Sequence, residues 1–309
     1  MTDDRLPSWN DGPTKTALTE FLDAAADVPV AHRVAVFDND GTLWCEKPNY
    51  VQLEFLLGEL ARAVQTDPSL AQREEYRALL DHDMALQAEL GLERIAMALI
   101  ELCAGIEPHE FDERVRAFFA TGLHRDRKVP YSSVRYQPML ELIDALRAVE
   151  FEIFVVSGGG AEFVRAIGLE FYGVAPERVV GSRASYDFSR DDDGHPRLLR
   201  SAVVDVSQVN EGPAKVSNIQ RELGRRPIFA AGNTAGDREM LEYALAVDGP
   251  SLALLVDHDD ADREYAYEAQ AGTIDFEGDL VSFGRGLGWT VASMRDDWAT
   301  VFPSETQQR

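Results

Sequence analysis

Cysteine is nearly absent from this chain. Cys45 and Cys103 are the only two among 309 residues. Neither belongs to a paired Cys or His spacing, which excludes a disulfide framework, a thiolate zinc site and a Cys-x-x-Cys redox pair. Two lone thiols suit a reducing compartment. Positive charge is also scarce, with 30 Lys and Arg against 54 Asp and Glu and a net charge of −24. Such a surface repels phosphate backbones and anionic lipid, so neither nucleic acid nor a membrane is expected as the main partner. There is no run of eighteen apolar residues, hence no candidate spanning helix. The stretch before Pro13 has neither the basic start nor the apolar core of a signal peptide, and a cytoplasmic location is expected. Repeats and low-complexity tracts are missing as well, and nothing in the sequence signals an oligomeric state. What remains is ordinary globular composition, 45% hydrophobic and 27% charged. That suffices for one large domain or two modest ones.

Helical spacing over Thr14 to Ala26 is followed by Val34-Ala35-Val36-Phe37, a short apolar run that fits a buried strand. The strand stops in Asp38-Asn39-Asp40-Gly41-Thr42. From there to Arg135 only helical spacing occurs: one helix around Val51 to Val64, then Ser69 to Leu90, Glu93 to Ala104 and Pro108 to Thr121. Strand and helix alternate again afterwards. Strands are predicted at Glu152 to Val156, Arg178 to Ser182, Ile228 to Ala231 and Ser251 to Val256. Ala184 to Phe188 and Leu198 to Val206 read as a β-hairpin with Arg190 to Gly194 at its tip. The pattern predicts an α/β fold, a doubly wound parallel sheet with helices on both faces. Its core is expected over residues 1–46 and 136–309, with a separate helical unit over 47–135.

Ligands of open α/β sheets sit at the carboxyl ends of the strands. The polar residues at those ends are Asp38 and Asp40, then Ser157, then Asn233 and Asp237, with Lys215 just inside a helix. Phosphoryl transfer needs a nucleophile and cations around the transferred group. A carboxylate such as Asp38 is a workable nucleophile for an acyl phosphate. Asp40 can protonate the leaving oxygen and then deprotonate water. Two neighbouring carboxylates repel unless a cation lies between them, and Mg²⁺ with oxygen ligands meets that need. Asn233 can offer a carbonyl to the metal, Asp237 can orient ligands or Lys215, and Ser157 with the following amides can hold phosphoryl oxygens.

On these residues the chain resembles the haloacid dehalogenase superfamily, closest in style to its phosphoserine phosphatase-like branch. FDNDGTLW is similar to that superfamily's first motif, VVSGGG to the second, Lys215 in EGPAKVSNI to the third, and AAGNTAGDREM to the fourth. The resemblance implies a Rossmann-like core, a helical cap inserted after the first strand, and Mg²⁺-dependent hydrolysis of a small phosphorylated metabolite through an aspartyl-phosphate. By matching positions it implies Asp38 as nucleophile and metal ligand, and Asp40 as acid/base with its backbone carbonyl as another ligand. Thr42, Ser157, Gly158 and Lys215 would hold the phosphoryl group, and Asn233 would complete the metal set with Asp237 in support. Two departures stand out. The first acidic position of the fourth motif is Asn233, a neutral ligand. Glu46 lies one residue before the substrate-recognising Glu of phosphoserine phosphatases, so that substrate does not follow.

Two other functions share the motifs: transfer of the phosphoryl group to a second substrate, and phosphate binding without turnover. The intact pair Asp38 and Asp40 favours catalysis, since binding alone needs no second carboxylate. Among weaker candidates, Asp81-His82-Asp83 is expected on a helix, where its members diverge. Asp257-His258-Asp259-Asp260 reads as a solvated acidic loop, with substrate selection the sharper alternative. Cys45 reads as an unreactive small hydrophobe. Trp44 and Tyr50 either line a pocket or pack beneath it.

Overall fold

Four residues with no polar side chain, Val34–Phe37, form the central strand β1, and every one of them is buried. In the computed structural model, which describes residues 5–202, 209–271, 274 and 276–304, β1 lies in a six-stranded sheet. The other members are β2 (Glu152–Gly160), β3 (Val179–Ser182), β6 (Phe229–Gly232), β7 (Leu252–Asp257) and β8 (Thr290–Ser293), in the order β3-β2-β1-β6-β7-β8. All pairings in this sheet are parallel. Strands β4 (Tyr186–Arg190) and β5 (Pro196–Arg200) form the separate antiparallel hairpin.

Alternation along β1 sends Val34 and Val36 to one face and Phe37 to the other. On the first face they join Ile219 of α9 (Pro213–Leu223) with Met240 and Leu241 of α10 (Arg238–Leu245). On the second face Phe37 meets Phe229 at 5.2 Å, and Phe229 meets Phe21 of α1 (Pro13–Ala25) at 5.7 Å. Helices therefore cover both faces, as parallel sheets require. Each such side chain contributes roughly 1.5–3 kcal/mol when fully buried. That reserve lets the strand tips carry buried carboxylates that are unfavourable in themselves. The chain order reverses at β1, whose neighbours β2 and β6 leave in opposite directions, so the loops after β1 and β6 open a crevice at the carboxyl edge.

The chain divides into two compact units. One holds 5–48, 121–182 and the described residues from 209 onward, including the sheet, α7 (Gln137–Ala148) and α8 (Ala161–Tyr172). The other holds 49–120 and the described residues between 183 and 208. Its helices are α2 (Val51–Thr66), α3 (Glu74–Leu80), α4 (Met84–Leu90), α5 (Leu92–Glu101) and α6 (Pro108–Thr121). The hairpin belongs with these helices: Gly105 donates to the Arg200 carbonyl at 2.8 Å, and the Arg200 guanidinium covers the Phe111 ring at 4.1 Å.

Two expectations are revised and one strand is unforeseen. The single helix over Ser69 to Leu90 is a 3₁₀ turn followed by α3 and α4. Its break is at Asp81-His82-Asp83, where His82 takes a φ of +53° and Asp83 caps α4 through Leu86 N at 3.0 Å. A capping Asp and a left-handed residue overrule apolar spacing that runs on through the junction. The short edge strand β8 has no expectation in the sequence, because four residues after a Gly-rich turn carry too little periodicity. The second hairpin strand ends at Arg200; positions 203–206 of the expected strand lie outside the described residues.

Candidate active site

Asp38 stands one residue past β1, and its amide donates to the Ala231 carbonyl of β6 at 2.9 Å. This bond continues the ladder into the crevice and fixes the Asp38 backbone. Lys215, in the first turn of α9, reaches the same point from the other side of the crevice. Its Nζ donates to Asp38 Oδ1 and to Asp237 Oδ1, both at 2.6 Å. The second oxygen of Asp237 accepts from the amides of Asn233 at 3.0 Å and Thr234 at 3.1 Å. Three residues distant in sequence thus form one buried charge chain.

Its electrostatics are lopsided. Burial raises the Asp38 carboxyl well above its ordinary value and repulsion from Asp237 adds to it, while Lys215 opposes both. Burial alone would lower the Lys215 ammonium, but Asp237, Asp38 and Glu211 outweigh it and hold the lysine above its usual range. Lys215 is therefore a permanent cation at this position.

Asp40 projects from the turn after β1. Its Oδ1 accepts from the Trp44 indole Nε1 at 2.9 Å and its Oδ2 from Asn39 Nδ2 at 3.2 Å. Asn39 is held in turn by the Tyr172 hydroxyl at 3.0 Å. Burial lifts the Asp40 carboxyl to about 6, with Glu46 adding to the rise and the Trp44 and Asn39 bonds working against it. A carboxyl in that range exchanges protons readily near neutrality.

Asn233 and Thr42 meet across the crevice, Thr42 Oγ1 donating to Asn233 Oδ1 at 3.3 Å. Gly41 has to be glycine here on two counts. Its φ is +73°, and a Cβ at this position would lie 1.9 Å from Asn233 Nδ2.

Ser157 and Gly158 continue β2 beside β1, where Phe37 pairs with Val155. Ser157 is thus one residue further along than Asp38, on a strand about 4.8 Å away. Ser157 Oγ accepts from the Gly159 amide at 3.0 Å. The Ser157 carbonyl accepts from Asn210 Nδ2 at 2.9 Å, and Ser182 Oγ donates to the Gly158 carbonyl at 2.6 Å. Glu211 lies over this segment. A Cβ on Gly158 would come within 1.8 Å of one of its oxygens, and a Cβ on Gly236 within 2.1 Å of the other.

All the sequence-derived positions lie along this carboxyl edge, although not all touch. Asp38, Lys215 and Asp237 are in direct contact, as are Thr42 and Asn233; Ser157 and Gly158 form the neighbouring wall. Asn210, Glu211 and Tyr172 were not anticipated. Asn210 and Tyr172 act on partners far away in the chain, and Glu211, although inside the EGPAKVSNI segment, takes its place only by lying against Gly158 and Gly236. Trp44 turns out to orient Asp40 as well as pack. Cys45 is buried and its thiol is pushed far up, mainly by burial, in line with an inert role.

The groups that could hold a cation are Asp38, Asp40 and Asn233. Among the described residues, no three His, Cys, Asp or Glu side chains are arranged to hold one by themselves. A magnesium ion would need an amide, backbone or water oxygens to complete its shell, as it commonly does. Two observations fit it. Asp38 and Asp237 share a single ammonium while Asp40 lies close enough to repel Asp38, so buried acidic groups outnumber cations here. Asn233 Nδ2 is buried without a hydrogen-bond partner. The two ends of an amide are distinguished only by their bonding, and turning this one over would give Thr42 a donor and put an oxygen where the orphaned nitrogen stands.

The parallel α/β sheet thus carries an acidic cluster and one buried lysine at its switch point. The sequence model for haloacid dehalogenase-like hydrolases matches residues 35–242, and the chain belongs to that family. No curated protein matches it significantly. Among solved structures it is similar to a conserved protein of unknown function from Anaerococcus prevotii DSM 20548, at 16% identity and a TM-score of 0.55. That likeness covers 84% of this chain and 89% of the other. It is also similar to a protein of unknown function from Bordetella pertussis Tohama I, at 17% identity and a TM-score of 0.50, covering 84% and 97%. At these identities the likeness speaks to the fold alone.

Proposed function

We propose that the chain is a phosphatase that hydrolyses a phosphate monoester of a small metabolite through an aspartyl-phosphate on Asp38. The observation that carries this reading is the buried contact of Lys215 with both Asp38 and Asp237, beside an Asp40 whose carboxyl sits at about 6. Since Asp38 Oδ1 already accepts from Lys215, Oδ2 is the free oxygen and attacks phosphorus. The bond to the leaving oxygen breaks, and Asp40 delivers its proton there. Asp40 then takes a proton from water, which attacks the acyl phosphate and releases inorganic phosphate with Asp38 restored. Lys215, Thr42, Ser157 and the Gly158 amide hold the phosphoryl oxygens. Mg²⁺, bound by Asp38, Asp40 and Asn233, would neutralise charge on the phosphoryl oxygens and between the two carboxylates. The helical unit inserted between β1 and β2 is the counterpart of a cap, the element that would close over the leaving group.

A chromogenic phosphate ester tests the reading. Turnover is expected with stoichiometric release of inorganic phosphate, lost on chelation and restored by Mg²⁺. Release of a phosphorylated acceptor instead of phosphate would make the chain a transferase, and turnover indifferent to chelation would remove the metal.

Trp44→Phe addresses the acid/base assignment. The indole N–H favours ionised Asp40, so its loss raises the Asp40 pKa and moves the acidic limb of the rate profile to higher pH. A hydrogen bond to a charged group is worth about 1.5–3 kcal/mol, so the limb is expected to move up by roughly 1–2 pH units. An unmoved limb would mean that Asp40 is not the group titrating in the rate.

A further inference from the structure

His258 follows β7, and both sides of its ring are occupied. Nε2 lies 2.7 Å from the Gly41 carbonyl, and Nδ1 lies 3.3 Å from Glu264 Oε2. Both ring nitrogens thus face acceptor oxygens, one of a backbone carbonyl and one of a carboxyl group. One face of the ring stacks on Tyr267 at 4.2 Å. Glu264 is fixed by the Tyr136 hydroxyl at 2.9 Å and by the Tyr265 amide at 2.6 Å. His258 is 3% exposed, Glu264 6% and Tyr136 0%, so this is a buried hydrogen-bonded cluster rather than the solvated acidic loop expected from the sequence.

A buried polar cluster is a poor device for stability, because desolvation offsets most of what its hydrogen bonds contribute. Its geometry indicates a different use. Gly41 is the hinge of the Asp38–Thr42 turn: its amide donates to the Trp44 carbonyl at 3.0 Å, and its carbonyl is the atom that His258 grips. Both ends of this residue are thereby fixed, although its positive φ and missing side chain make it the freest residue of the turn.

We propose that His258, braced by Glu264 and Tyr136, is a positioning residue that locks the Gly41 peptide and so keeps Asp40 and Thr42 in place beside Asp38. The kinetic consequence rests on the phosphatase reading; the structural one does not.

Hydrogen exchange of the segment covering 38–46, together with kcat and KM on a chromogenic phosphate ester, tests both. In His258→Ala, exchange there is expected to rise at least tenfold while the segment covering 228–232 is unchanged. The kcat is expected to fall by 10–100-fold with KM within twofold. His258→Gln, which keeps an N–H toward Gly41, is expected to recover most of both. Unchanged exchange at 38–46, or equal acceleration everywhere, overturns the proposal. Should His258→Ala fail to fold, Glu264→Gln takes its place, with at least threefold faster exchange at 38–46 expected and no change decisive against. If the wild-type protein hydrolyses no ester, the phosphatase reading falls and exchange still decides the role of His258.

Discussion

Asp38→Asn is expected to abolish turnover, by at least about 10⁴-fold in kcat, while the protein melts at the wild-type temperature or slightly above it. The first half follows from chemistry: an amide cannot serve as the attacking oxygen, and loss of a nucleophile from a cooperating set removes nearly all of its effect. The second half follows from electrostatics. Burial and Asp237 raise the Asp38 pKa, so its ionised form costs free energy at neutral pH. A carboxylate with a raised folded-state pKa withdraws stability above its unfolded value, and removing that charge returns the loss. Lys215 keeps Asp237 as a partner, so no charge is stranded. An active site that is less stable than its neutral variant is a common trade of stability for activity. A variant with near-normal kcat would remove Asp38 as nucleophile. One that is inactive because it is unfolded would refute the electrostatic argument.

Lys215→Met should be the opposite case, inactive and destabilised together. Its side chain is 2% exposed and holds two buried carboxylates at 2.6 Å each. Methionine fills much the same volume but leaves both acids uncompensated, at a cost of about 3–5 kcal/mol. At roughly 2–4 °C per kcal/mol for a domain of this size, the melting temperature should fall by roughly 6–20 °C. Loss of the cation at the phosphoryl group should lower kcat by about 10²–10³-fold. Adding Asp237→Asn to Lys215→Met is expected to restore a large part of the stability, because it removes one stranded charge, without restoring activity. Calorimetry on the single and double variants separates the two effects. A double variant no more stable than the single one would show that Asp237 does not feel Lys215.

Much of this was legible in the sequence. β1 could be read because four buried apolar residues end abruptly in polar ones, and the fold class could be read because strands and helices alternate after residue 136. Asp38, Ser157 and Asn233 could be read at one sheet edge because each comes where an apolar strand run stops. Other features could not be read. Asp83 ends a helix through one side-chain bond that no periodicity records. His258 looks like part of an acidic loop because its partners, Gly41 and Glu264, are 217 and 6 residues away. Trp44 could equally have lined or packed a pocket until its indole was seen against Asp40.

By itself the sequence determined which functional groups arrive at the strand ends, since local hydrophobic patterning is enough to say where a strand stops and which residue follows. Tertiary structure alone decided how those groups behave. A carboxyl moves to about 6, an ammonium stays charged and a histidine grips a glycine carbonyl because water is excluded and partners up to 217 residues apart are brought within about 3 Å. Desolvation and Coulombic coupling depend on distance in space, which the order of residues does not contain.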